Sequence, residues 1–342
     1  MTAPRRSIPV VALVLITTFA AAPVLADEAA AVIAEEQGRE DVATPSDPVG
    51  TRTLDLSGRQ VDLLLVPDST NDRVMAFDPV TGALVDADFI PADPTNLSTP
   101  KSALYKSDGL GFLVVDQLDD AVQEYDLTGA YVGIFAPAGG VNTAIMDNCR
   151  SIDYHPSTGN LLVSVSDGAN ADAIAEFDPV SGAYLGNFIA NGAGGMGGPW
   201  DVLFSATEAF VSASDSDAVH RYDATTGVYI GDLITVDSFP EQMSWAANGN
   251  LLIAEWSGTQ EGIIEVQLDG TVVGIYYTAE ADGPRGVFEL PNGNLLVSNG
   301  TGVHEITRAS TFVDSKITGV SCHQINLARR VVPVELQSFE VN

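Results

Sequence analysis

Six copies of one short phrase, their lead residues 40 to 52 positions apart, restrict what this chain of 342 residues can fold into. The phrase reads "FDPVTG" at Phe77, "YDLTG" at Tyr125, "FDPVSG" at Phe177 and "YDATTG" at Tyr222. A weaker copy, "VQLDG", starts at Val266 and a degenerate one, "ITRAS", at Ile306. A second phrase precedes each copy: "LLLVPD", "FLVVD", "LLVSVSD", "AFVSASD", "NLLIAE" and "NLLVSN". Short polar turns such as "STND" and "QLDD" lie between the two phrases. Each unit therefore reads as strand, tight turn, strand, Asp/Thr-Gly turn, strand, and the alternation in "VQEYD" suits half-buried antiparallel strands. Gly82, Gly129, Gly182 and Gly227 stand where the second turn requires positive φ.

A further strand leads into most units: "PKSALY" from Pro100, "CRSIDY" from Cys149, "PWDVLF" from Pro199, "PEQMSW" from Pro240 and "PRGVFE" from Pro284. A sixth, "CHQINL" from Cys322, has no unit after it, and the first unit has no such strand before it. The two halves complete one another. Four short strands per unit at this period predict an all-β, six-bladed β-propeller of four-stranded blades. The C-terminal inner strand joins the N-terminal blade and closes the ring, which removes its open edges.

Outside the repeat the composition changes. Arg5 and Arg6, the apolar run "IPVVALVLITTFAAA" and the small residues ending at Ala26 read as a secretory signal over residues 1–26. Residues 27–50 form an acidic, flexible leader, 51–330 the propeller and 331–342 a C-terminal tail without an apolar anchor. No later run reaches the ~18–20 apolar residues that span a bilayer. The expected product is a secreted or periplasmic monomer with no membrane insertion after cleavage. Its formal net charge of −31 repels phosphate backbones and argues against nucleic acid. Two cysteines, Cys149 and Cys322, are too few for a disulfide scaffold. Cys149 stands beside Arg150 like a primed thiol, yet it fills the strand-opening place held by prolines in the sister units. Two strand steps around the ring also separate it from Cys322, which argues against a bond between them.

The stretches "DSTNDRVMAFDPVTG" and "GPRGVFELPNGNLLVSNG" resemble the NHL-repeat and SMP-30/gluconolactonase-like six-bladed propellers, and the resemblance covers about residues 55–330. It implies a channel lined by inner strands whose first residues surround one mouth. Those residues are Lys101, Arg150, Trp200, Glu241, Arg285 and His323, with Asp201 and Gln242 at second positions. A concave mouth of mixed charge with one tryptophan suits a small polar ligand or a protein partner. The expected function is therefore a binding module without catalysis of its own. The alternative is an SMP-30-like metal-dependent hydrolase, or a propeller lyase, in which Asp201 and Glu241 are the weak candidates for metal ligands. Cationic neighbours on the ring disfavour a bound cation there. The four histidines, His155, His220, His304 and His323, are spread too widely to converge on one zinc ion; His220 and His304 occupy equivalent third-strand positions in separate units. The acidic turns leave Ca2+ as a candidate cofactor, although none carries the EF-hand pattern. "GAGGMG" at Gly192 matches a nucleotide-loop spacing but precedes a strand rather than a helix, so it reads as a connection.

Overall fold

The structure, a computed structural model, describes residues 62–329; the proposed signal, leader and tail lie outside the described residues. Those residues form six antiparallel sheets of four strands, all but three short 3-10 turns being strand or loop. Each sheet is one blade with its inner, second, third and outer strands in that order. Blade 1 is built from Asn326–Ala328, Leu63–Asp68, Arg73–Phe77 and Leu84–Ile90, so the C-terminal strand does complete the N-terminal blade. The six-bladed propeller read from the repeat is the fold observed.

The spacing of apolar residues explains the ring. The inner three strands of each blade bury one face against the preceding blade and the other against the next, so the cores lie between blades rather than within them. Ile152 of blade 3, for example, packs with Leu113, Val115 and Phe135 of blade 2. Five equivalent clusters fill the other junctions. The lead residues Phe77, Tyr125, Phe177, Tyr222, Val266 and Ile306 lie at or one residue before the ends of the third strands and are buried.

The phrase glycines do two things at once. Gly82, Gly129, Gly182 and Gly227 have φ of 68°, 77°, 67° and 66°. Their turns also press on the preceding blade: a Cβ on Gly182 would meet Phe135 O at 1.7 Å, and one on Gly227 would meet Phe188 O at 1.9 Å. Ser310 takes this place in the degenerate copy with φ 54°, and its Oγ accepts the Tyr277 N–H of the blade before. The outer strands are open edges, and each is blunted by one extra residue after its first ladder pair. These residues are Val85, Val132, Leu185, Ile230, Val273 and Val313.

Two inner strands are shorter than the sequence pattern suggests. In blade 6 the strand runs Gly286–Glu289, leaving Pro284 and Arg285 ahead of it. In blade 1, Cys322 bridges Asp68 in isolation before the strand resumes at Asn326.

Candidate functional site

The six first-position residues lie around one end of the axis, but under the mouth rather than on its open wall. Lys101, Arg150, Trp200, Glu241, Arg285 and His323 are all 0–1% exposed. In four blades the ladder skips a residue there, and the first-position residue sits in the bulge. Lys101 Nζ lies 3.3 and 3.4 Å from the two ring nitrogens of His323, and His323 Nε2 lies 3.0 Å from Ser69 Oγ. The Arg150 guanidinium stacks 4.2 Å from the centre of the Trp200 ring, with Lys101 Nζ at 5.7 Å. Arg150 also donates to Ser214 Oγ (3.3 Å) and Asn148 Oδ1 (3.4 Å), and Arg285 Nη1 donates to Ser321 Oγ at 2.8 Å. Trp200 packs edge-on against Phe239, which in turn contacts Trp256. The structure thus joins His323, Lys101, Trp200 and Arg150 in one contact chain.

The second positions have a different task. The free edge of every inner strand faces the axis, and its backbone groups need partners away from solvent. Asp201 Oδ2 accepts the Met243 N–H of blade 5 at 2.8 Å. Gln242 spans three blades. Its Oε1 accepts the N–H groups of Val287 (3.0 Å) and Ile325 (2.9 Å), while Nε2 donates to Ile325 O (2.9 Å) and Asn326 Oδ1 (3.0 Å). That uses all four hydrogen-bonding sites of the amide. In blade 1 the backbone groups of Ile325 are thus tied to this side chain, and the ladder to Leu63–Asp68 starts at Asn326. Gly286 makes the crossing feasible: a Cβ there would lie 2.7 Å from Gln242 Oε1 and 2.5 Å from Ser298 Oγ.

The structure adds a set of serines that the strand beginnings do not single out. Ser164, Ser212 and Ser298 occupy the same place in their second strands, each donating to the first-position carbonyl of the next blade. Ser164 donates to Trp200 O at 3.1 Å, Ser212 to Glu241 O at 2.5 Å, and Ser298 to His323 O. Ser164 and Ser212 also accept the second-position N–H groups of Ser151 and Asp201. A hydroxyl recurring inside the apolar phrases "LLVSVS", "AFVSAS" and "NLLVSN" is the signal that could have found them.

Burial shifts several acids. It pushes the Asp201 carboxyl up to about 7, with nearby Asp153 adding to the rise and the Met243 N–H opposing it. Burial likewise raises Glu255 to about 9, reinforced by the charges of Asp237, Asp217 and Glu241 against one bond from Ser238 N–H. A carboxyl held up in the fold keeps a proton that the unfolded chain releases above pH ~4, so its contribution to stability falls as pH rises towards the folded value. We therefore expect thermal melting to occur at a lower temperature at pH 8.5 than at pH 5.5. Glu255→Gln should recover roughly 5 °C at pH 8.5 and only about a quarter of that at pH 5.5. An equal gain at both values would remove Glu255 as the source.

The remaining histidines do not converge. His155 Nδ1 accepts the N–H groups of Ser157 and Thr158 in its turn, while its ring packs on Phe188 and Phe204. His220 and His304 each bond within their own blades. Among the described residues no group of three or more His, Cys, Asp or Glu side chains is arranged to hold a metal ion. Both cysteines are free and buried. Burial raises both thiols well above their ordinary value, and Cys149 Sγ donates to Asp116 O at 3.2 Å. Neither is primed as a thiolate.

No family model matches the chain, and no curated protein matches it. Among solved structures, it is similar to a chain of a nidogen/laminin complex, with a TM-score of 0.62 and 11% identity over 79% of this chain and 98% of that one. It is similar also to a protein of unknown function from Bacteroides caccae, with a TM-score of 0.54 and 15% identity over 78% of this chain and 98% of that one. A streptogramin B lyase aligns with a TM-score of 0.47 and 15% identity, over 69% of this chain and 72% of that one. At these identities the likeness is one of fold.

Proposed function

We propose that this chain is an exported, acidic, NHL-like propeller that binds a small polar ligand, or a polar side chain of a protein partner, at the axial end marked by Lys101, Arg150, Trp200, Arg285 and His323. One observation carries the reading. Basic groups gather around a buried tryptophan, whose Nε1–H is without a hydrogen-bond partner, in a chain of net charge −31. An acidic or polar ligand that approaches this end of the axis meets that positive charge. Export rests on the signal-like residues 1–26 and leads to the periplasm or the exterior. A propeller of similar build occurs in the nidogen/laminin complex, an assembly of proteins.

Titration calorimetry of the mature protein against small hydroxy-acids, sugar acids and their neutral lactones tests this directly. Acids should bind in preference to the uncharged forms. Arg150→Ala should weaken the best of them at least about tenfold, the usual effect of removing a charged hydrogen bond. Undiminished binding by both Arg150→Ala and Glu241→Gln would move the site off the axis.

The catalytic alternative keeps one observation in its favour: Asp201, with its carboxyl up at about 7, falls in the range of a general acid or base. Turnover in the lactone panel that disappears in Asp201→Asn and after chelation would favour a metal-dependent hydrolase. Retained Ca2+ that raises the melting temperature without turnover would instead assign the ion a structural role.

A further inference from the structure

Away from the axis, blade 4 contains a constellation that neither reading above uses. His220 Nδ1 lies 2.7 Å from Asp232 Oδ1, and His220 Nε2 lies 2.8 Å from Ser216 Oγ. The three come from different places: the loop between the second and third strands, the third strand Ala218–Asp223 and the outer strand Tyr229–Thr235. His220 is 3% exposed, Ser216 is partly exposed and the Asp232 side chain is 42% exposed. With Asp232 accepting from Nδ1–H, Nε2 is left as the acceptor for the Ser216 hydroxyl proton.

The surroundings hold this arrangement in place. The Tyr229 hydroxyl donates to Asp232 Oδ1 at 2.9 Å. Tyr229 can lie where it does because Gly194 has no side chain; a Cβ there would be 2.2 Å from the Tyr229 ring. Gly194 belongs to the glycine run 192–198, the stretch that reads in sequence as a mere connection. That run is laced to the serine loop by Asp215 N–H to Gly197 O (3.0 Å) and Ser214 N–H to Gly198 O (2.9 Å). Gly197 N–H donates to Ser216 Oγ itself at 3.3 Å. That bond helps to fix the hydroxyl oxygen beside the histidine ring.

Blade 6 supplies an internal comparison. His304, in the equivalent strand position, meets Thr301 Oγ1 at 3.2 Å and Asn299 Oδ1 at 3.1 Å on one side, and Ser315 Oγ at 2.9 Å on the other. The frame of loop hydroxyl, histidine and outer-strand partner is therefore a feature of the repeat. Only blade 4 places a carboxylate behind the ring, and a carboxylate, unlike Ser315, stabilises an imidazolium.

We propose that Ser216 and His220, with Asp232 as the positioning residue, form a serine-hydrolase site that cleaves small carboxylic esters. Ser216 Oγ bonds to the ester carbonyl carbon as its proton passes to His220 Nε2. The C–O bond to the alcohol breaks, and that alcohol leaves with the proton from Nε2. Water then adds to the acyl-serine, giving its proton to Nε2; the serine C–O bond breaks, the acid departs and Ser216 regains its hydrogen. The net change is ester plus water to acid plus alcohol. Asp215 and Asp217 flank the nucleophile, so uncharged or cationic esters are favoured over anionic ones.

The test uses the mature full chain with p-nitrophenyl acetate and a fluorophosphonate probe, followed by peptide mapping. Hydrolysis above the buffer rate and a single adduct on Ser216 are expected. Ser216→Ala should abolish the adduct, and His220→Gln should slow labelling at least ~100-fold. Asp232→Asn should lower kcat by a similar factor while leaving KM nearly unchanged, a split that a merely structural role would not give. His304→Gln should match the parent protein. Circular dichroism separates lost chemistry from lost fold for each variant. No Ser216 adduct on the folded parent chain, or labelling that survives His220→Gln, overturns the proposal. Acid binding at the axis, read by calorimetry, and ester turnover are separate measurements on the parent chain, so failure of the axial reading and failure of this one are told apart.

Discussion

Gly182→Ala will lower the melting temperature by roughly 10 °C, a loss on the order of 3–5 kcal/mol in a domain of this size. Two effects add. An alanine at φ 67° costs about 1–2 kcal/mol by itself, because its Cβ crowds the following carbonyl. The added carbon would also sit 1.7 Å from Phe135 O, an atom of the preceding blade's outer strand that moves only if two blades separate. That carbonyl cannot simply rotate away, since the same junction holds the bond from Ala138 N–H to Gly182 O at 2.9 Å. Gly159→Ala separates the two contributions. Gly159 has φ 73°, and a methyl group added to it would meet nothing within 4 Å, so it should lose only the conformational share. Equal losses at the two glycines, measured by thermal melting, would show that the turn does not wedge the blades together.

Gln242→Leu is expected to cost at least about 3 kcal/mol in urea unfolding. It leaves the N–H groups of Val287 and Ile325, Ile325 O and Asn326 Oδ1 without the amide that serves them, and each buried polar group left unmade costs about 1–3 kcal/mol. Leucine is close to glutamine in volume, so packing contributes little to the loss. Gln242→Glu should fall between the parent and the leucine variant. Its oxygen can still accept from both N–H groups, but it loses the two donations and adds a negative charge at the axis. A leucine variant as stable as the parent would mean that the axis is wet enough to satisfy these groups with water. The inner-strand edges would then need no side-chain partner.

The candidate sites were unevenly legible. The ring of Lys101, Arg150, Trp200, Glu241, Arg285 and His323 could be read by aligning strand beginnings, because a repeat puts equivalent residues at equivalent depth. Their burial could not be read, since it depends on how closely six strand ends approach one axis. Gln242 stood in the same alignment as a surface-like amide, yet its partners come from two other blades and are 45 and 83 residues away. Histidines 220 and 304 were recognisable as equivalents. Their different chemistry was not, because Asp232 and Ser315 lie past turns whose register shifts by a bulge in the outer strand.

By itself the sequence determined the blade count, the four-strand unit, the turn glycines and the closure of the ring by the last strand. These follow from local rules: alternation sets a strand's two faces, positive φ selects glycine, and six copies of a unit of 40 to 52 residues make six blades. Only the tertiary structure decided which polar side chains complete the free inner edges, which cations stack on Trp200, and which histidine acquires a carboxylate and a serine. Those choices depend on distances between separate blades and loops. Such distances are fixed by packing around the axis rather than by any neighbour along the chain.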